Sequence, residues 1–479
     1  MNNPLTKQFQ AHDQYALGKR CIAFCQESAP FSALYHAVLA LSCQRRAGGC
    51  FQPGRGTAWK PFKIAFCHYP KIISSKETLV HAQAIFARNT SFVQIDKSLT
   101  TQAARIVQVL GLNRAMYEGE NMDLCQRVFW VAYELEKTQS FICDRDSILV
   151  DSNISIPAPQ IPEAVFDGFD YFRGLCCLSR LLSNAQSSLF AISATLVPEN
   201  TLVTSIDAFE VDLERWKDSI IDHFRPGSNL QANVMGSLFM ESKLKINFHY
   251  YSAVIALARL KLSILTEDLI QKRQETEKRL LLASRVIIDL TRYIDVKTST
   301  PIWILLSVPL SAIFILFDFV IHNPSHTETK SNIALLGVGA GYFCGVEFSW
   351  DGRLQFSLLS DLAQIARDYI QGLDDGTAAR IMQPSQPCDG DTRAQPRLQD
   401  VICRQANVSY PSMRDQPQEY GAINENSYIS SENTSIFLTE SGFPDAFDLT
   451  NLFADDVSSY IDSFTTDFSH GTDSIFPDL

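Results

Sequence analysis

From Phe31 to Leu373, apolar residues recur at steps of three and four, and this periodicity is the strongest constraint the chain carries. Such steps place side chains on one face of an α-helix, whereas a half-buried strand would alternate. In "FSALYHAVLALSCQ" the expected stripe is Leu34, Ala37, Val38 and Leu41. "LTTQAARIVQVLGLNR" repeats it with Ala103, Ile106, Val107 and Leu110, and Gly111 stands where a helix would stop. Further helical runs are "FRGLCCLSRLLSNAQSSLFAI", "AFEVDLERWKDSII", "MESKLKINFHYYSAVIALARLKLSIL", "TEKRLLLASRVIIDLTRYIDV" and "FSLLSDLAQIARDYIQGL". Strand-like runs are few and short. The expected fold class is all-α.

The pattern fades near Asp374, where Gln, Pro, Asp, Ser and Asn crowd in. Four segments are expected: a poorly ordered N-terminus at 1–19, a helical domain at 20–375, a disordered linker at 376–435 and an acidic, aromatic segment at 436–479. The net charge is −12, and it is unevenly spread. After Arg414 there are 13 Asp and Glu and no Lys or Arg, so residues 1–414 are nearly neutral. Such a balance argues against a surface that coats duplex DNA.

Twelve cysteines are scattered along the chain, and the polar N-terminus has no apolar leader. Reduced, mostly buried thiols of the cytosol or nucleus are expected. No C-x-x-C occurs, which removes zinc ribbons and thioredoxin-type sites. The stretch Ile302–Phe317 carries no charge over 16 residues, but a helix of that length reaches only about 24 Å. Pro309 interrupts its middle, so a buried core helix, or a pair broken at the proline, is expected rather than a membrane span.

Searches for catalytic and metal-binding patterns find none: no H-E-x-x-H, G-x-S-x-G or P-loop. "GVGAG" (Gly337–Gly341) is expected to be a turn between helices, because Tyr342 stands where a dinucleotide loop needs its last glycine. Cys176 and Cys177 are expected to be inert filler inside an apolar helix. No catalytic, metal-ligating or cofactor-binding residue is assigned.

The stretch Arg127–Pro159, "RVFWVAYELEKTQSFICDRDSILVDSNISIPAP", begins as a helix and ends as an extended arm. On the helix Leu124, Val128, Val131 and Leu135 should face one way, with Phe129 and Tyr133 beside them. Trp130 can pack while its N–H finds a carbonyl, and Arg127 and Arg145 should pair with Asp151 or with helix ends. This is an anchor for the arm rather than a catalytic set.

The segment resembles the middle homology region of fungal zinc-cluster (Zn2Cys6) transcription factors. The matching positions are Arg127, Phe129, Trp130, Tyr133, Ser140, Arg145, Asp151, Ile154, Pro157 and Pro159, with Ala104, Arg105, Leu110, Gly111, Leu112 and Arg114 upstream. Asp144, Asp146 and Asn113 depart from the family pattern, which has glycine, proline and histidine there. "LERWK" with Trp216, Tyr250 and "GYFCGVEF" extend the resemblance over roughly residues 20–375. It implies a nuclear transcriptional regulator, an activator of a biosynthetic gene cluster, with a helical regulatory domain. It further implies promoter DNA reached indirectly or through a missing N-terminal module, a zinc-cluster protein as partner, a small-molecule effector and no membrane. Zinc enters only if an upstream zinc-cluster exon is missing. The alternative is a helical small-molecule-binding protein or enzyme that shares the fold.

In the acidic segment Leu449, Phe453, Val457, Tyr460 and Phe464 recur at steps of three or four with aspartates around them. That stripe is expected to be an activation surface for a coactivator groove, the alternative being a C-terminal helix that docks on the middle region.

Overall fold

Helix boundaries here follow local backbone chemistry. Residues Val93–Val109 form a helix that ends at Gly111, whose φ of +67° is a left-handed conformation open to glycine at little cost. The Gly111 amide donates to the Gln108 carbonyl and the Leu112 amide to the Val107 carbonyl, each at 3.0 Å, satisfying carbonyls that the helix end would orphan. The computed structural model describes residues 21–374, apart from 48–54, 87–92, 115–121, 143–145, 229–236, 266–268, 299, 302 and 352–355.

The architecture is all-α. In chain order the helices are α1 (Ala29–Ala47), α2 (Trp59–Cys67), α3 (Tyr69–Ser74), α4 (Leu79–Phe86), α5 (Val93–Val109) and α6 (Met122–Ile142). There follow α7 (Tyr171–Ala185), α8 (Glu199–Asp218), α9 (Ser237–Ile264), α10 (Ile270–Leu290), α11 (Val308–His322), α12 (Thr329–Ser349) and α13 (Ser357–Asp374). The strands found among the described residues are a two-residue hairpin, Val165–Phe166 with Phe169–Asp170, turned by Asp167 and Gly168, both at positive φ.

Consecutive helices pack as neighbours: α1 on α2, α5 on α6, α6 on α7, α9 on α10, and α10 on α11. One core is centred on Ala103, Val107, Phe129, Trp130, Ala132, Tyr133, Leu149 and Cys176. A second seam joins α8, α9 and α10 through charge: Lys261 pairs with Asp207 at 2.5 Å and Glu210 at 2.9 Å, and Arg279 with Glu214 at 2.8 Å. Tyr250 donates its hydroxyl to Glu214 at 2.6 Å, and Trp216 donates its indole N–H to the Gly174 carbonyl at 2.9 Å.

The apolar run is one continuous element rather than two. A π-helical turn, Trp303–Ser307, leads straight into α11, whose second residue is Pro309. Among the described residues Trp303–His322 is the one helix long and apolar enough to cross a membrane, and 61% of its apolar window is buried.

Three expectations are corrected. Gly337–Gly341 is not a turn but lies inside α12. A Cβ on Gly339 would come within 2.7 Å of Ile313 Cδ1, so that glycine serves the close approach of α12 to α11. On α1 the buried row is Ala33, Ala37, Ala40 and Gln44, while Val38 is exposed, because small residues allow closer helix contact than the larger stripe. Cys176 is buried as expected, but Cys177, one position round the helix, is exposed.

Candidate functional site

The arm after α6 is held by a row of polar contacts along one side of that helix. Glu136 accepts from the Ile148 amide at 2.7 Å and from Ser147 Oγ at 2.8 Å. Lys137 donates to Ser147 Oγ at 2.7 Å and to the Leu149 carbonyl, and its ammonium lies 3.3 Å from Asp151 Oδ2. Tyr133 and Ser183 each donate a hydroxyl to Asp151, one to each carboxylate oxygen. Further on, Trp130 donates its indole N–H to the Pro157 carbonyl at 2.8 Å. Asn113 adds a second stitch: its side-chain amide donates to the Asn153 carbonyl at 2.8 Å, and its backbone carbonyl accepts from the Ser155 amide at 3.0 Å. The Ile148 and Ser155 amides and the Leu149, Asn153 and Pro157 carbonyls of an extended segment are thereby satisfied.

These contacts place the sequence candidates. Phe129, Trp130 and Tyr133 are fully buried and meet in tilted and edge-on ring contacts, and the Arg180 guanidinium lies 5.4 Å from the Trp130 ring. Asp151 is brought to Tyr133. Pro159 is buried, while Pro157 is exposed and contributes its carbonyl. Arg127 does not pair with Asp151: it reaches Glu163 at 3.4 Å on the surface, and the cation beside Asp151 is Lys137. Arg145 and Asp144 lie outside the described residues, as do Leu449, Phe453, Val457, Tyr460 and Phe464.

The buried face of α6 also differs from the expected one. Leu124 is exposed and Val131 and Leu135 are only half-buried, whereas Glu134, Glu136, Lys137, Thr138 and Ser140 are buried. Charged residues on a helix normally read as a solvated face. Here each one carries a specific partner, and no single-helix signal could have found that.

Deeper in the fold Glu134 pairs with Lys245 at 2.9 Å, joining α6 to α9. His249 Nε2 stands 3.7 Å from the same carboxylate oxygen, and its ring packs 4.6 Å from that of Trp303. Burial, reinforced by Lys245, pushes the His249 imidazole down to about 3, against the pull of Glu134.

Elsewhere in the junction burial drives groups the same way. The Tyr133 phenol is raised far above its ordinary range by burial and by Asp151, and burial raises the Glu136 carboxyl and the Cys176 thiol. All are pushed toward neutral forms, the opposite of an activated nucleophile. The described residues contain no group of three or more His, Cys, Asp or Glu placed to hold a metal ion. What this arrangement does chemically is clasp the arm to the helix.

Comparison with known proteins follows the same direction. No family model matches the chain, and no solved structure does. It is 24% identical over 405 residues to an ABC-transporter-regulating transcription factor of Aspergillus oryzae, covering 76% of this chain and 45% of that protein. A protein of the same description from Aspergillus fumigatus is 26% identical over 348 residues, covering 65% of this chain and 39% of the relative. An uncharacterized transcriptional regulatory protein of Schizosaccharomyces pombe is 24% identical over 366 residues, 70% of this chain and 56% of its own length. The chain is similar to fungal transcription factors. It spans less than half the length of the two Aspergillus relatives.

Proposed function

We propose that this chain is a fungal transcriptional regulator of the zinc-cluster lineage, working in the nucleus. Its helical part is a middle homology region that regulates, and its acidic segment at 436–479 recruits a coactivator. The observation that carries this reading is the similarity over 76% of the chain to a protein described as a transcription factor. The clasped arm supports it, because the aromatic, tyrosine and aspartate positions of the family pattern meet there as packing and hydrogen-bond partners. Contact with promoter DNA comes from a zinc-cluster module outside residues 1–479 or from a DNA-bound partner. The genes controlled are those of a biosynthetic cluster, and the names of the two Aspergillus relatives add ABC transporters as targets to examine.

The test is a fusion of residues 436–479 to an unrelated DNA-binding domain, read on a reporter. The fusion should activate, and replacing both Phe453 and Phe464 with alanine should abolish most of the signal. A silent fusion, or activity that survives loss of both aromatics, overturns the activation role. Transcript profiling after deletion of the gene tests the targets: unchanged biosynthetic and transporter messages would sink that assignment.

A further inference from the structure

We propose that the outer face of α2 and α3, with the adjoining surface of α1, is a docking surface for an acidic amphipathic segment, and that its occupant is this chain's own Asp445–Phe464. The near neutrality of residues 1–414 conceals a local imbalance. Between Ser28 and Lys76 there are seven Lys and Arg and no Asp or Glu. A charge count over a shorter window is the sequence signal that exposes it.

The fold puts much of that charge on one surface. His68, itself in the right-handed helical region, links α2 to α3. Lys60, Ile64, Cys67 and Lys71 therefore follow one another at steps of four, three and four, and all are exposed. Beside them runs a ladder of rings, Trp59, Phe62, Phe66 and Tyr69, with successive centroids 5.3, 6.0 and 5.8 Å apart. Phe62 is buried under it, whereas Phe66 is 36% and Ile64 44% exposed. On α1, which packs against α2, Val38, Leu39, Arg45 and Arg46 are exposed.

On this face Arg45 pairs with Glu241 at 3.3 Å. On α8 to α10 Lys217, Lys261, Lys272 and Arg279 are each paired with carboxylates. No ion pair among the described residues joins Lys60 or Lys71 to a carboxylate. Exposed lysines interleaved with exposed apolar and aromatic carbon call for a partner that carries both negative charge and a hydrophobic stripe.

The segment Asp445–Phe464 has that chemistry. It holds five aspartates, 445, 448, 455, 456 and 462, and no Lys or Arg, around Leu449, Phe453, Val457, Tyr460 and Phe464. Duplex DNA would use the lysines but leave Ile64, Phe66, Val38 and Leu39 without apolar partners. Reach is ample, since the residues between Asp374 and Asp445 can span at most roughly 230 Å. The docked segment would hide its aromatics from a coactivator, in a contact that weakens with salt. This goes beyond the activation reading and does not need it. Docking is measured on the purified full chain, activation on the isolated tail, so either can fail alone.

The experiment places a photoreactive benzoylphenylalanine at position 64 of the full chain and maps its cross-links by mass spectrometry. The expected product joins position 64 to a peptide within 445–464, at equal yield when the chain is diluted. Lys60→Glu, Lys63→Glu and Lys71→Glu together should lower the yield roughly tenfold. Adding Asp455→Lys, Asp456→Lys and Asp462→Lys should restore it, which loss of folding would not permit. Cross-links that avoid 445–464 overturn the proposal, as does an unchanged yield in a reversed variant that melts like the parent. Isotope-mixed chains that cross-link only between copies overturn the assignment to the chain's own segment. Lysine-dependent binding of a 20-base-pair duplex without any tail cross-link would make the face a phosphate surface and overturn it too.

Discussion

Trp130 on α6 donates its indole N–H to the carbonyl of Pro157, 27 residues later, and so ties a buried ring to the far end of an extended arm. Removing a buried tryptophan typically costs about 3–5 kcal/mol, a large part of a domain's margin. Trp130→Ala should therefore lower the denaturant midpoint strongly, while Trp130→Phe should lose only the order of 1 kcal/mol beyond its volume change. Loss of function in Trp130→Ala with unchanged melting would instead assign the ring a direct role.

Lys137 is buried, with its ammonium shared among Ser147, Leu149 and Asp151. Lys137→Met should destabilise by roughly 2–4 kcal/mol, because Asp151 and the arm carbonyl lose their donor together. Arg127→Met, at a surface pair with Glu163, should cost less than about 1 kcal/mol. Equal effects of the two in urea melts would contradict the placement of the cation.

His249 supplies a pH dependence. Its folded value lies near 3 and its unfolded value near 6.5, so the unfolded chain takes up the proton first. Stability from this group is whole above pH 6.5 and is lost as pH falls toward 3, by at most about 1.4 kcal/mol per unit. His249→Gln should flatten the decline between pH 6.5 and 5, where most carboxylates have not yet titrated. An identical slope in the variant would show that the imidazole titrates normally.

Two glycines of α12 should respond oppositely to the same substitution. Gly339→Ala drives a methyl against Ile313 and should cost about 1–3 kcal/mol. Gly341→Ala enters open space on the same helix and should stabilise by about 0.4–1 kcal/mol. Matching melting temperatures for the two variants would refute the close contact between α12 and α11.

Purified residues 1–479 should carry no stoichiometric zinc by elemental analysis, since no C-x-x-C occurs in the chain. One zinc per chain, retained through chelation and gel filtration, would reveal a site assembled from distant ligands.

The sequence by itself determined what depends on neighbours along the chain. Helices show in the spacing of Ala103, Ile106 and Val107, and the stop at Gly111 shows because a left-handed residue there suits glycine. Trp130 could be expected to need a carbonyl, because an indole N–H buried without a partner is costly. Tertiary structure decided everything that depends on which element comes to lie opposite. It buried Glu134, Glu136 and Lys137 on a helix whose leucines had marked another face, and it gave Asp151 to Lys137 rather than Arg127. It placed Gly337–Gly341 inside α12, where Gly339 meets Ile313. The physical reason is the same in each case: local periodicity reports how a residue sits on its own helix. The energy of a buried charge or a missing side chain is set by atoms on another helix, at a distance the sequence does not encode.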